Sequence, residues 1–189
     1  MKAGGGLDNR IAGLVDLARR GDADAFGELY EIYRGEMYAY ACTITGDSYA
    51  AEDAVSEAVV SAFRQIKNLR DPQSFKGWLF RILHAESCKQ FNQRVAHMTL
   101  DEDVGHETES PNDGIENLEL SLELQSALKV LSPEEREIVM LKTMGEYTSK
   151  EIAQITGITH STVRSKLSRA LTKLRNELQS GGEGGDIHE

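Results

Sequence analysis

The chain runs to 189 residues, carries 21 Lys and Arg against 31 Asp and Glu, and has a formal net charge of −10. A mean hydropathy of −0.42, with no run near the roughly 18 apolar residues of a membrane span, predicts a water-soluble protein without membrane insertion. Met1–Gly6 lacks the apolar core of a secretory signal, and Cys42 and Cys88 have no second Cys or His at ligand spacing. A cytoplasmic protein with neither a disulfide scaffold nor a zinc site is expected.

Hydrophobic periodicity then predicts helices from end to end. Ile11, Leu14, Val15 and Ala18 mark a short first helix. Phe26, Tyr30, Tyr33, Met37, Tyr40 and Ile44 recur at spacings of four and three, a single stripe down a second. Gly46-Asp47-Ser48 breaks that pattern, with Ser48 the expected N-cap of a third helix carrying Ala51, Val55, Ala58, Ala62, Ile66 and Leu69. Asp71-Pro72 reads either as a cap followed by proline at the first helical position or as a turn reaching Ser74. The fourth helix carries Phe75, Trp78, Leu79, Ile82, Leu83 and Phe91. Residues 8–94 thus form a compact helical domain with one modest core.

Residues 95–113 hold six acids and no Lys or Arg, show no sustained stripe, and read as a mobile acidic linker. Leu118, Leu122, Leu128 and Leu131 restart a helix, opening a second domain over 114–179. Ser132-Pro133-Glu134-Glu135 and Thr148-Ser149-Lys150-Glu151 are capping boxes, each starting a helix. Gly157 ends the second of these, and Thr159 or Ser161 caps a final helix reaching about Leu178. The Gly-rich tail, 180–189, is expected to be disordered. The fold class is therefore all-α: two small helical domains joined by a flexible acidic linker.

The second domain ends in a helix-turn-helix. On its last helix Val163, Leu167, Ala170, Leu174 and Leu178 share the inward face. Ser165, Lys166, Ser168, Arg169, Thr172 and Lys173 point away, with Arg164 and Arg175 at the flanks and Thr159, His160 and Ser161 at the mouth. Arg binds guanine edges at two points, Ser and Thr adapt to bases or phosphates, and Lys neutralises phosphate, a mixture suited to a major groove. A solvated amphipathic helix in some other bundle is the plainer alternative. Charge favours DNA: 160–179 is locally +4 and 63–94 is locally +5, although the whole chain is acidic.

The stretch from Leu131 to Leu174 resembles the promoter-binding C-terminal domain of bacterial sigma factors, and 51–63 with 74–83 resembles their core-binding and melting domain. Two such domains in this order with no third resemble the extracytoplasmic-function (group IV) sigma factors. The resemblance implies that Glu52, Asp53, Ser56 and Glu57 face the clamp helices of core RNA polymerase, with Ser56 standing where the family usually has Gln. It implies that the segment from Lys67 to Ser74 captures a base flipped out of the minus-ten element, with Lys67, Asn68, Arg70, Ser74, Lys76, Phe80 and Arg81 as the contact set. Trp78, on the stripe with Phe75 and Leu79, reads as core, and Ala85 stands near the place of a usual Asn. The minus-thirty-five element falls to Thr159, His160, Ser161, Arg164, Ser165, Lys166, Ser168, Arg169, Thr172 and Lys173.

The partners so implied are core RNA polymerase, promoter DNA and a cognate anti-sigma protein, for a chain monomeric when free. In this family the linker threads near the polymerase's active cleft, where six carboxylates either imitate a nucleic-acid backbone or merely solvate a spacer. No nucleophile constellation or phosphate loop is present and the five His are scattered, so catalysis, a cofactor and a metal are not expected. The competing function is a free-standing helix-turn-helix regulator whose first domain is an oligomerisation or ligand module.

Overall fold

The computed structural model describes the backbone over residues 5–100 and 127–182, and side chains over 9–96 and 127–179. Among the described residues every regular element is helical. α1 (Gly5–Arg19), α2 (Ala23–Thr45), α3 (Ser48–Gln65) and α4 (Phe75–Leu100) form the first domain, with single 3₁₀ turns at Ile66–Asn68 and Pro72–Ser74 between α3 and α4. α5 (Pro133–Thr143), α6 (Ser149–Thr156) and α7 (His160–Gly182) form the second.

The ends of these helices follow from capping chemistry. The Asp22 carboxylate accepts the Ala25 N–H at 3.0 Å and starts α2. α2 stops at Gly46, whose φ of 63° is the left-handed conformation a side chain disfavours. The cap of α3 is Asp47 and not the expected Ser48: its carboxylate accepts the Ala50 N–H at 2.7 Å, and Ser48 is the first helical residue. Asp71 satisfies both readings at once, accepting the Gln73 N–H at 3.0 Å to cap a 3₁₀ turn that ends at Ser74.

α2 is the spine of the first domain and touches α1, α3 and α4. Phe26, Tyr33, Met37 and Tyr40 of its stripe are buried, as are Ala51, Ala54, Ala58 and Ala62 of α3. Alanines on α3 bring the helix axes close, leaving volume for Phe75, Phe80 and Leu83 of α4. Phe91, expected inside, is 43% exposed, although Arg94 further along α4 still donates to the Thr45 carbonyl at 3.3 Å. α4 continues to Leu100, six residues past the expected domain edge, and α7 continues to Gly182, into the expected tail. The remainder of the acidic segment, Leu118, Leu122 and residues 183–189 lie outside the described residues; the turn of helix at 127–129 is the described end of the segment read from Leu118 to Leu131.

In the second domain both capping boxes form in full, Ser132 with Glu135 and Thr148 with Glu151. Arg136 is buried, and its guanidinium donates to the carbonyls of Leu128 (3.2 Å) and Leu131 (3.4 Å), tying the entering strand of chain to α5. α5 also lies against α2, so the apolar residues of the two domains form one continuous cluster.

Candidate nucleic-acid interface

α6, the Gly157 turn and α7 make the helix-turn-helix. Gly157 has φ 73° and its N–H returns to the Ala153 carbonyl, which ends α6 and lets the chain reverse. Thr159 caps α7, accepting the Thr162 N–H at 3.2 Å. Its hydroxyl also bonds those of Ser161 (3.0 Å) and Thr162 (2.8 Å), so Thr159 shapes the helix start more than it offers a free contact. Val163 and Ala170 are buried and Leu167 and Leu174 half-buried, as the inward stripe requires, but Leu178 is 49% exposed beyond the end of α5 and α6.

On the outer face His160, Ser161, Arg164, Ser165, Ser168, Arg169 and Thr172 are all exposed. Ser165 and Thr172 donate their hydroxyls back to the carbonyls of Thr162 and Ser168, each at 3.0 Å, and Arg169 Nε reaches the Ser165 carbonyl at 3.3 Å. These contacts stay within one turn of α7 and fold the side chains along it. The two lysines differ. Lys166 pairs with Glu134 of α5, and Lys173 pairs with Glu135 at 2.7 Å. Glu135 is 6% exposed and also accepts the Ser132 N–H at 3.0 Å; with Lys173 the leading cause, its carboxyl is held below the usual 4.5. Lys173 is thus a strut between α7 and α5, a role the sequence did not suggest because its partner stands 38 residues away.

In the first domain Lys67, Asn68, Arg70, Ser74 and Arg81 are exposed around the two 3₁₀ turns. Ser74 donates to the Asp71 carbonyl at 2.7 Å and helps hold the turn closed. Two members of the expected set sit elsewhere. Lys76 is half-buried between Glu36 (3.0 Å) and Glu146 (3.3 Å) and lies 6.0 Å above the Tyr33 ring. Phe80 is wholly buried, edge-on to Tyr40 at a centroid distance of 5.6 Å, and is corrected from a stacking residue to a core one. The reason is helical geometry: Phe80 follows Lys76 by four residues on the side of α4 facing α2. Trp78, expected in the core, is only partly covered and tilts against Phe75 at 5.8 Å.

Glu52, Asp53, Ser56 and Glu57 are exposed along one face of α3. Glu52 and Ser56 border an open cleft of about 470 Å³ between α2 and α3 that Tyr30, Arg34, Tyr38 and Val55 help to line. Burial first, then the adjoining Cys42, pushes the Tyr38 hydroxyl up to about 12, so it stays protonated.

A further set of residues lies between the domains, none of them singled out by pattern. Tyr147 is 2% exposed and donates its hydroxyl to the Gly77 carbonyl of α4. Tyr40 and His84 Nδ1 lie 2.9 Å apart, and Glu137 of α5 approaches the same nitrogen at 3.5 Å. Burial pulls His84 below its usual 6.5 and raises Glu137 above 4.5. Among the described residues no group of three or more His, Cys, Asp or Glu is arranged to hold a metal, and no helix is long and apolar enough to cross a membrane.

The family model for sigma-70 region 2 matches residues 29–95 and that for sigma-70 region 4 matches 121–174. The chain is 28% identical to the ECF RNA polymerase sigma factor SigW of Bacillus subtilis, across 92% of itself and 99% of that protein. It is 31% identical to the ECF RNA polymerase sigma factor SigE of Mycolicibacterium smegmatis, across 82% of itself and 62% of that longer protein. The fold is similar to that of the sigma factor RpoE from Bartonella quintana, solved with the anti-sigma factor NepR (TM-score 0.61, 24% identity, 82% of this chain and 96% of that one). It is also similar to CnrH, solved with the cytosolic domain of CnrY (TM-score 0.58, 22% identity, 90% and 98%). With regions 2 and 4 both present in family order, and a sigma factor aligned along nearly its whole length, the chain belongs to the sigma-70 family, whose members direct RNA polymerase to promoters.

Proposed function

We propose that the two exposed surfaces divide promoter recognition between them, as a group IV factor acting in the cytoplasm without catalysis of its own. The observation that carries this reading is the outward face of α7, where Arg164, Ser165, Ser168 and Arg169 stand exposed on a helix capped and braced from behind. That face enters the major groove of the minus-thirty-five element, with His160 and Ser161 at the leading turn and Thr172 further along. Lys166 exchanges Glu134 for phosphate on docking. Lys67, Asn68, Arg70, Ser74 and Arg81 hold the minus-ten strand, and Lys76 joins them once released from its two glutamates. Glu52, Asp53, Ser56 and Glu57 meet the polymerase clamp. An anti-sigma protein is the proposed negative regulator, by likeness to the RpoE and CnrH complexes.

Each DNA surface is small, and core polymerase fixes their separation so that two weak sites act as one. Transcription reconstituted with core polymerase on a library of genomic fragments tests this. Initiation should occur at a subset sharing two motifs spaced as minus-thirty-five and minus-ten elements. Palindromic sites bound without polymerase, and no initiation, would instead support a free-standing regulator.

A further inference from the structure

The two promoter elements lie about 25 base pairs apart, or ~85 Å along B-form DNA. A packed chain of this length is roughly 40 Å across. The closed arrangement therefore cannot engage both elements at once, and the domains have to part. What holds them together becomes a functional question.

Beside the packing of α5 on α2 and the approach of Glu137 to His84, the contact includes the turn Gly145-Glu146-Tyr147. Glu146 has φ 57°, the left-handed region a non-glycine residue enters only when its surroundings hold it there. A side chain at Gly145 would place its Cβ 2.5 Å from the Tyr147 ring, so this glycine is what lets the ring fold back. The Tyr147 N–H donates to the Leu141 carbonyl at 3.2 Å, and Lys142 donates to the Tyr147 carbonyl at 3.3 Å. The turn so fixed puts both its side chains on the first turn of α4: Tyr147 on the Gly77 carbonyl and Glu146 on Lys76. Glu146 also borders a cavity of about 200 Å³ lined by Tyr33, Gln73, Phe75 and Lys76, next to the turn expected to hold the minus-ten strand. A strained turn thus neutralises a cation of one DNA-binding surface while denying that surface its distance from the other.

We infer that the 145–147 turn is an autoinhibitory clasp: it holds the free factor closed, through Tyr147 on the Gly77 carbonyl and Glu146 on Lys76, and core polymerase binds the opened form. The inference rests on the promoter reading above for its consequence, but the clasp itself can be measured on the free chain. The cost of opening lowers apparent affinity for polymerase by the fraction of molecules open. Tyr147→Phe keeps the buried ring and deletes the donor, and Glu146→Gln deletes the charge on Lys76. Neither residue belongs to the proposed DNA or polymerase contacts.

Energy transfer between labels introduced as noncanonical amino acids at the exposed Tyr49 and Asn176 reports the closed-to-open ratio in the full-length chain without touching either cysteine. Tyr147→Phe with Glu146→Gln should raise the open fraction and tighten binding to core polymerase by about five-fold or more, given what one hydrogen bond and one ion pair contribute. Once holoenzyme is assembled, initiation per complex should match the unaltered chain. Glu146→Gln alone, which leaves the buried Tyr147 intact, should move both quantities in the same direction by less. An unchanged label distance together with unchanged polymerase affinity in both variants would overturn the clasp. Failure of the unaltered factor to initiate at any promoter would overturn the promoter reading, while the label distances would still decide the clasp.

Discussion

The two domains are stabilised by different means. The first is held by bulk: Tyr40, Phe75, Phe80, Leu29, Met37 and Leu83 are all fully buried in it, and its helices cross on an alanine-lined α3. Among the described residues of the second, Ile138, Leu141, Ile152 and Val163 are the fully buried side chains of any size. It compensates at the helix ends, with two complete capping boxes, a buried arginine on two carbonyls, and a lysine strut from α7 to α5. A domain held by burial tolerates polar change at its surface and fails on large-to-small change within. One held by caps and ion pairs is sensitive to acid and to single polar substitutions. The helix proposed to read DNA sits in the second kind, tied to α5 through Lys166 and Lys173.

The largest effect expected is at Phe80. Phe80→Ala opens a hole between α2 and α4 and should cost about 3–5 kcal/mol of first-domain stability in urea unfolding. A loss below about 1 kcal/mol, with minus-ten opening still impaired, would return Phe80 to the role of a base-stacking residue. Next comes Arg169. Its planar fork can grip a guanine edge, so Arg169→Lys should cost roughly 1–3 kcal/mol at the preferred upstream sequence and little elsewhere, read as holoenzyme binding across a randomised element. An equal loss at every sequence would make Arg169 a phosphate anchor.

The strut gives a contrasting case on the same helix. Lys173→Ala should lower second-domain stability by up to about 1 kcal/mol, while the salt dependence of DNA binding stays put, since this ammonium is already paired with Glu135. A salt slope smaller by about one ion would show that Lys173 leaves Glu135 for phosphate. Acid should also separate the domains. Glu135 and Glu151 are both held below the usual 4.5, Glu135 first by Lys173 and Glu151 first by the Thr148 N–H. A lowered carboxyl contributes stability that is present above 4.5 and lost as pH falls through the folded value. Helicity of the second domain should therefore weaken below about pH 4.5, and Glu151→Gln should flatten that dependence. The smallest effect is Ser87→Ala: the hydroxyl is wholly buried on α4 without a hydrogen-bond partner among the described residues, so its removal should be neutral or slightly stabilising in thermal unfolding.

The local features were legible because their causes are local. Capping boxes, the Gly157 stop and the α2 stripe each depend on residues within a turn of one another, and each formed at the expected place. The same holds for the outward set on α7, whose exposure follows from a 3.6-residue period once Val163 and Ala170 are turned inward. Periodicity names a helix's apolar side but not which neighbour covers it, and so does not separate the fully buried Phe80 from Trp78, partly buried against the same core. α2 covers Phe80 through Tyr40, whereas Trp78 tilts against Phe75 at the edge of the core. Lys173 with Glu135, Tyr147 with Gly77 and His84 with Glu137 join residues 38 to 70 positions apart, and no spacing rule reaches that far.

On the proposed function, this factor reads promoters only as part of RNA polymerase, through two surfaces on separate domains. Footprinting one promoter-bearing fragment with the chain alone and with core polymerase added tests it most directly. The free chain should give no protection at concentrations that saturate polymerase. With polymerase present, protection should centre on the upstream and minus-ten elements, about 25 base pairs apart, with loss of the upstream part alone in Arg169→Ala. Protection of the upstream element by the free chain, unchanged when polymerase is added, would contradict it.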